Sequence, residues 1–241
     1  KQATMGGQRG NAETGALGEA GAVGQGYSAN RRHGSELGCG TAGALPLSVI
    51  NPDPLADAAA VNAGVNVRPA AANAAFLIGH STLRLGAMSD VERGATANEI
   101  DAMAKVVEEA MQSGATGFST GLIYAPNKAA PTDEIVALAQ VASDGGGIYV
   151  THMRNEGVDI DKSLDETFEI GRRANLPIVV SHHKCAGKEN HGRSTETLAR
   201  FDSARGGQKV GLDVYPYTAG STVIMVDMVD AAARVIITWS D

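Results

Sequence analysis

Apolar runs end near residues 120, 152, 182 and 215, and an amphipathic segment separates each from the next. Strand–helix alternation with a period of about 30 residues is the βαβ signature of a parallel sheet. Nearly constant spacing favours an α/β barrel over an open, doubly wound sheet, although a Rossmann-like sheet remains the alternative on periodicity alone. The 241 residues approach the length of one whole barrel, roughly 250 residues. Only about five strand–helix units are legible, all after residue 73, so the expected fold is a partial (β/α)8 TIM-type barrel.

Ala75–His80 reads as a buried strand. Thr96 and Glu99 form a capping box, in which each side chain satisfies an orphan amide at a helix start. Ile100, Met103, Val106 and Val107 line one face of the helix that follows, and Gly114 is placed to stop it. Helices are expected over 132–144, 161–174 and 194–205. Strands are expected over 117–120, 147–152, 177–182 and 210–215. Gly145-Gly146-Gly147 reads as a helix cap and turn, because it precedes a strand rather than a helix. Glu108, Glu109, Asp165, Glu166, Glu169 and the Arg172-Arg173 pair read as solvated helix faces.

The first part of the chain is different. Of the 30 glycines, 12 fall within residues 1–48. Branched aliphatics and aromatics before residue 40 are limited to Leu17, Val23, Tyr27 and Leu37. Such a segment buries little apolar surface to offset its ordering entropy. Residues 1–45 are therefore read as an irregular Gly-rich segment, and 46–241 as the partial barrel domain.

A net charge of −7 argues against nucleic acid as a partner, since phosphate binding calls for clustered Lys and Arg. No apolar stretch approaches the roughly 20 residues of a membrane span. No secretory h-region follows Lys1–Met5. Cys39 and Cys185 do not make a disulfide scaffold, so a reducing, cytoplasmic setting is expected.

Polar residues gather where the strands end: His80, Ser119-Thr120, His152, His182-His183 and Tyr215. In parallel α/β folds that edge binds ligands. Two histidines on adjacent strand ends point into one mouth, and imidazole is a good zinc ligand. A catalytic zinc site takes three protein ligands plus water, so a third donor is needed. Cys39, in Gly38-Cys39-Gly40, is the available candidate, whereas Cys185 lies too close to His182. Lys184 is placed to hold a substrate carboxylate as a point charge. Walker, dinucleotide and Gly-x-Ser-x-Gly motifs are absent.

Several of these stretches resemble one family. They are Thr151-His152-Met153-Arg154-Asn155-Glu156, Ser181-His182-His183-Lys184, and Asp213-Val214-Tyr215-Pro216-Tyr217-Thr218-Ala219-Gly220-Ser221-Thr222. Gly79–Arg84, Gly117–Pro126 and Ile236–Trp239 fit as well. Together they are similar to the N-acyl-D-amino-acid deacylases (D-aminoacylases) of the metal-dependent amidohydrolase superfamily, over about residues 73–241. The resemblance implies hydrolysis of N-acyl-D-amino acids by metal-activated water, with Zn2+ held by Cys39, His152 and His182. It implies substrate contacts from Tyr124, Lys184, Tyr215, Ser221 and Thr222, with Tyr215 assisting oxyanion stabilisation. Lys184 would pair with the amino-acid carboxylate.

Two family features are missing. There is no His-x-His pair, His33 being the sole histidine before residue 80. The family's general-base Asp is expected beyond Asp241, because neither Asp213 nor Asp241 corresponds to it. Two other readings stay open. One is a hydantoinase- or dihydroorotase-like enzyme for cyclic amides, although no strand-end Lys suits a carboxylated metal bridge. The other is a truncated, non-catalytic barrel fragment.

Overall fold

A computed structural model describes residues 75–232 and 234–236. The expected Gly-rich segment, the 46–74 part of the expected domain and Cys39 lie outside the described residues. Five strands form one parallel sheet: β1 (Leu77–Gly79), β2 (Gly117–Gly121), β3 (Ile148–His152), β4 (Ile178–Val180) and β5 (Val210–Leu212). Each strand pairs with its predecessor in chain order. A doubly wound sheet reverses its strand order at a switch point, whereas unbroken sequential order is barrel winding.

The helices are α1 (His80–Ala87), α2 (Ala97–Gln112), α3 (Ala125–Lys128), α4 (Thr132–Asp144), α5 (Ile160–Ala174), α6 (Ser194–Arg205) and α7 (Val226–Ala231). The capping box at α2 is present in both directions. The end of α2 follows the glycine signal, with Ser113 as cap and Gly114 at φ 97°. At Gly117 the close approach is to the neighbouring strand, where a Cβ would lie 2.1 Å from the Ile148 carbonyl oxygen. No described helix is long and apolar enough to cross a membrane.

One face of the sheet packs on the helix layer. Phe118, Tyr149, Ile178 and Val180 join Met103, Val107, Leu138, Leu164 and Ile170 in a continuous buried cluster. Burying each such large aliphatic or aromatic side chain contributes about 1.5–3 kcal/mol. Side chains alternate along a strand, so Val150 and His152 point opposite to Tyr149 and Thr151, away from that layer.

Four features differ from the sequence expectation, the first being that the strand expected over 177–182 stops at Val180. The first strand ends at Gly79, and His80 opens α1. That helix escapes periodicity because its buried face includes Ser81 and Arg84 beside Leu83. The last strand stops at Leu212, because β5 pairs with only the three residues Ile178–Val180. Glu166 is not a solvated residue, since it receives Arg154 at 2.8 Å and 2.9 Å and the Thr132 hydroxyl at 2.9 Å.

A charged network is buried in the core. Arg84 and Glu134 are both 0% exposed and form an ion pair. Arg84 also donates to the carbonyls of Pro126, Val91 and Arg93. Glu134 receives the Ala95 amide at 2.8 Å and His80 Nε2 at 2.9 Å. Burial pushes the Glu134 carboxyl up, but the hydrogen bonds from His80, Arg84 and Ala95 outweigh it and hold it at about 2. Burial keeps His80 below its ordinary value, hence neutral.

Replacing one member of a buried pair strands the other charge, so Glu134→Gln is expected to cost about 3–5 kcal/mol in urea unfolding at pH 7. The Glu134 carboxyl titrates lower in the fold, at about 2, than its ordinary 4.5. Its contribution is therefore complete above the ordinary value and is lost as pH falls toward the folded one. The gap between wild type and variant should narrow on acidification through that window.

Candidate metal centre at the carboxyl edge of the sheet

His152 is the last residue of β3, and His182 lies two residues past the end of β4. Because Thr151 pairs with Val180, the two histidines reach the carboxyl edge at nearly the same height. His182 has φ 42°, an uncommon left-handed conformation for a residue with a Cβ. Asp213, arriving from β5, holds this turn by accepting the His182 amide on Oδ1 at 2.6 Å. The strained residue thus sits where the chain must re-aim a side chain.

The result is two imidazoles in edge contact, with ring centroids 4.5 Å apart and planes at 70°. His152 Nδ1 faces His182 Nε2 at 3.0 Å. Two nitrogens each about 2.0–2.1 Å from a tetrahedral zinc would be about 3.3 Å apart, so this spacing fits a shared metal with little adjustment. Burial lowers the His152 imidazole to about 4, which leaves it neutral at pH 7. A neutral ring keeps the lone pair that a metal needs.

The loop after β3 adds a carboxylate. Glu156 is 6% exposed. Its Oε1 lies 3.1 Å from His182 Nδ1, and its Oε2 lies 3.7 Å from His152 Nε2. Lys184 donates to Oε2 at 2.7 Å. Burial pushes the Glu156 carboxyl up, yet the His182 hydrogen bond and the nearby charges of His152 and Lys184 prevail and hold it at about 2. Among the described residues, His152, Glu156 and His182 form the group of donors able to hold a metal.

The other residues singled out in the sequence divide around this centre. Tyr124, just after β2, packs its ring 5.1 Å from that of His152 and bonds the Thr222 hydroxyl at 3.1 Å. Burial raises the phenols of both Tyr124 and Tyr215. Tyr215 lies 6.4 Å from the His182 ring, with the Lys184 ammonium 5.6 Å from its centroid. Ser221 is exposed on the same segment. Lys184 also donates to the His182 carbonyl at 2.9 Å, so its ammonium is bonded within the centre.

His80 and His183 turn away from it. His183 bonds Thr197 at 2.9 Å and packs on Phe201, between β4 and α6. Cys185 is half-buried beside Thr197. Sequence reasoning gave no role to Glu156 or to the Asp213 side chain. For Glu156 a usable signal existed, namely a carboxylate four residues past a strand-end histidine. The Asp213 contact depends on the His182 turn and had no such signal.

No family profile matches the chain. Individual proteins do. The chain is 53% identical over 171 residues to a D-aminoacylase of Alcaligenes xylosoxydans xylosoxydans, covering 71% of this chain and 35% of that protein. An N-acyl-D-glutamate deacylase of the same organism is 39% identical over 213 residues, covering 84% of this chain and 44% of that protein. The crystal structure of the Bordetella bronchiseptica N-acyl-D-glutamate deacylase, complexed with zinc and a phosphonate inhibitor, superposes with a TM-score of 0.68 at 40% identity. That match covers 74% of this chain and 37% of the other. The chain thus spans 35–44% of the length of these relatives. Sequence identity and structural superposition agree, and this chain belongs to the D-aminoacylase (N-acyl-D-amino-acid deacylase) family of the amidohydrolases.

Proposed function

We propose that this chain serves zinc-dependent hydrolysis of N-acyl-D-amino acids to a carboxylate and a free D-amino acid. The observation that carries the reading is the facing pair His152 Nδ1 and His182 Nε2 at 3.0 Å, on adjacent strand ends of a barrel-wound sheet. In this reading His152, His182 and Cys39 hold the ion. Bound zinc supplies a water acidic enough to ionise near neutral pH and a Lewis acid for the amide carbonyl.

The chain's own residues then shape the substrate. Tyr124 and Thr222, already bonded to each other, close one side of the centre next to His152. Tyr215 lines the His182 side, where its phenol is held protonated by burial and can donate to a developing oxyanion. Ser221 lies on the same segment as Thr222 and is read as a further contact. Lys184 is the cation available for the amino-acid carboxylate, and that carboxylate would share the ammonium with Glu156. The partner is a small molecule, with neither nucleic acid nor membrane required. The setting is read as cytoplasmic, on the two cysteines of the chain.

Hydrolysis of N-acetyl-D- against N-acetyl-L-amino acids, with and without a chelator, tests the reading. In the full-length protein the D-substrates should be cleaved and a chelator should abolish turnover. Equal turnover of L-substrates, or indifference to metal removal, overturns it. His152→Ala and His182→Ala should each lose stoichiometric zinc, measured by elemental analysis, and lower kcat/KM by more than about 100-fold, beyond the 10–100-fold typical of outer residues. Lys184→Met should raise KM more than it lowers kcat, because it removes a contact remote from the scissile bond.

A further inference from the structure

Glu156 reaches both imidazoles, but at the nitrogens that do not face each other. Its oxygens lie 3.1 Å from His182 Nδ1 and 3.7 Å from His152 Nε2. The facing pair is His182 Nε2 and His152 Nδ1. A cation between the facing nitrogens therefore has the carboxylate behind the rings. We infer that Glu156 is a positioning residue that fixes the tautomer of His182, accepting its Nδ1–H so that the Nε2 lone pair points at the metal position. The inference rests on the zinc reading proposed above.

A neutral imidazole carries one proton, so a partner that only accepts at one nitrogen leaves the other as the acceptor. Carboxylates in this position orient metal-binding histidines and raise their basicity. An opposing contact makes the role necessary. Lys184 Nζ lies 2.9 Å from the same His182 Nδ1. If Nδ1 accepted from Lys184, the ring proton would move to Nε2 and block the side that faces His152. Glu156 opposes this twice. Oε1 draws the proton to Nδ1, and Oε2 takes an ammonium hydrogen of Lys184 at 2.7 Å. The His182 carbonyl takes another at 2.9 Å.

The backbone around Glu156 is itself held. Its carbonyl accepts the Ala186 amide at 2.7 Å. The side chain of Asn155 accepts the Gly157 and Asp159 amides at 2.8 Å and 3.1 Å. The carboxylate is thus delivered to the rings by a fixed turn. His152 Nε2 is buried without a hydrogen-bond partner and lies 3.7 Å from Glu156 Oε2, beyond hydrogen-bond distance, so the orienting role is assigned for His182 alone.

Proton–nitrogen correlation NMR of the histidine rings, in the full chain with and without zinc, reads the tautomers directly. A chromophoric chelator competition gives the zinc affinity of wild type, Glu156→Gln and Glu156→Ala. Wild-type His182 should carry its proton on Nδ1 in both states, with zinc on His182 Nε2 and His152 Nδ1. Glu156→Ala should lose the tautomer preference and bind zinc about 10–100-fold more weakly. Glu156→Gln keeps an accepting carbonyl and should retain the tautomer, with an intermediate affinity.

A wild-type His182 protonated on Nε2 overturns the proposal. So does coordination through His182 Nδ1 and His152 Nε2, which would make Glu156 a ligand. Unchanged tautomer and affinity in a folded Glu156→Ala overturn it as well. If wild type takes up no zinc, the metal reading fails instead, and the tautomers of the metal-free chain still decide the role of Glu156. Should the alanine variant not fold, wild type and Glu156→Gln carry the decision.

Discussion

Parallel pairing of β3 with β4 sets the height of every group at the carboxyl edge. With Thr151 opposite Val180, His152 can meet a side chain only one or two residues beyond Val180. A one-residue slip would turn a strand-end side chain to the other face of the sheet. Extended backbone after Val180 would also send His182 and His183 to opposite faces by alternation. The left-handed turn at His182 directs its ring to His152, while His183 goes to Thr197 and Phe201. Asp213 stabilises the turn from the next strand, so three consecutive strands take part in placing two rings.

The loops around that edge are held by charged hydrogen-bond networks as well as by the buried side chains of Leu122, Ala130 and Met153. Arg84 and Glu134 tie the Pro126 region and the approach to α2 into one network. Asn127 adds bonds to the Ser81 hydroxyl at 2.8 Å and the Gly121 carbonyl at 3.3 Å. Together they fix the short helix that follows Tyr124, and with it the ring packed on His152. Arg154 does the same for the next segment, donating to the carbonyls of Lys128 and Ala130 while Glu166 balances its charge. Such networks contribute weakly to net stability, but leaving one half-satisfied is costly. That asymmetry suits a site which needs its loops in one arrangement.

The periodic parts of this architecture are legible in the sequence because burial imposes periodicity. Helices α2, α4, α5 and α6 fall within a residue or two of expectation, and α2, α4 and α5 each present a regular apolar stripe or carry a capping signal. Helix α1 is not legible, because its inward face is a His, a Ser, a Leu and an Arg. Tyr215 reads as a strand end but lies beyond β5, whose pairing is limited by the three residues of β4. At the site, His152 and His182 could be named from strand-end position alone. The separation of His182 from His183 could not, because it depends on one positive φ and on a carboxylate 31 residues away.

Electrostatics also explains why two histidines are insufficient for a metal. As ligands both rings are neutral, and Glu156 is already matched by the Lys184 ammonium at 2.7 Å. The Glu156–Lys184 pair is therefore close to electroneutral by itself, in a place where His152 and Glu156 are each 6% exposed. A dication would bring into that low-dielectric space charge that this pair does not compensate, and unbalanced charge is expensive there. An anionic third donor offsets part of it, as the thiolate proposed at Cys39 would. A substrate carboxylate near Lys184 would offset more. The need for a third ligand is thus one of charge as much as of coordination number, and a thiolate or carboxylate meets both needs where another imidazole meets only the second.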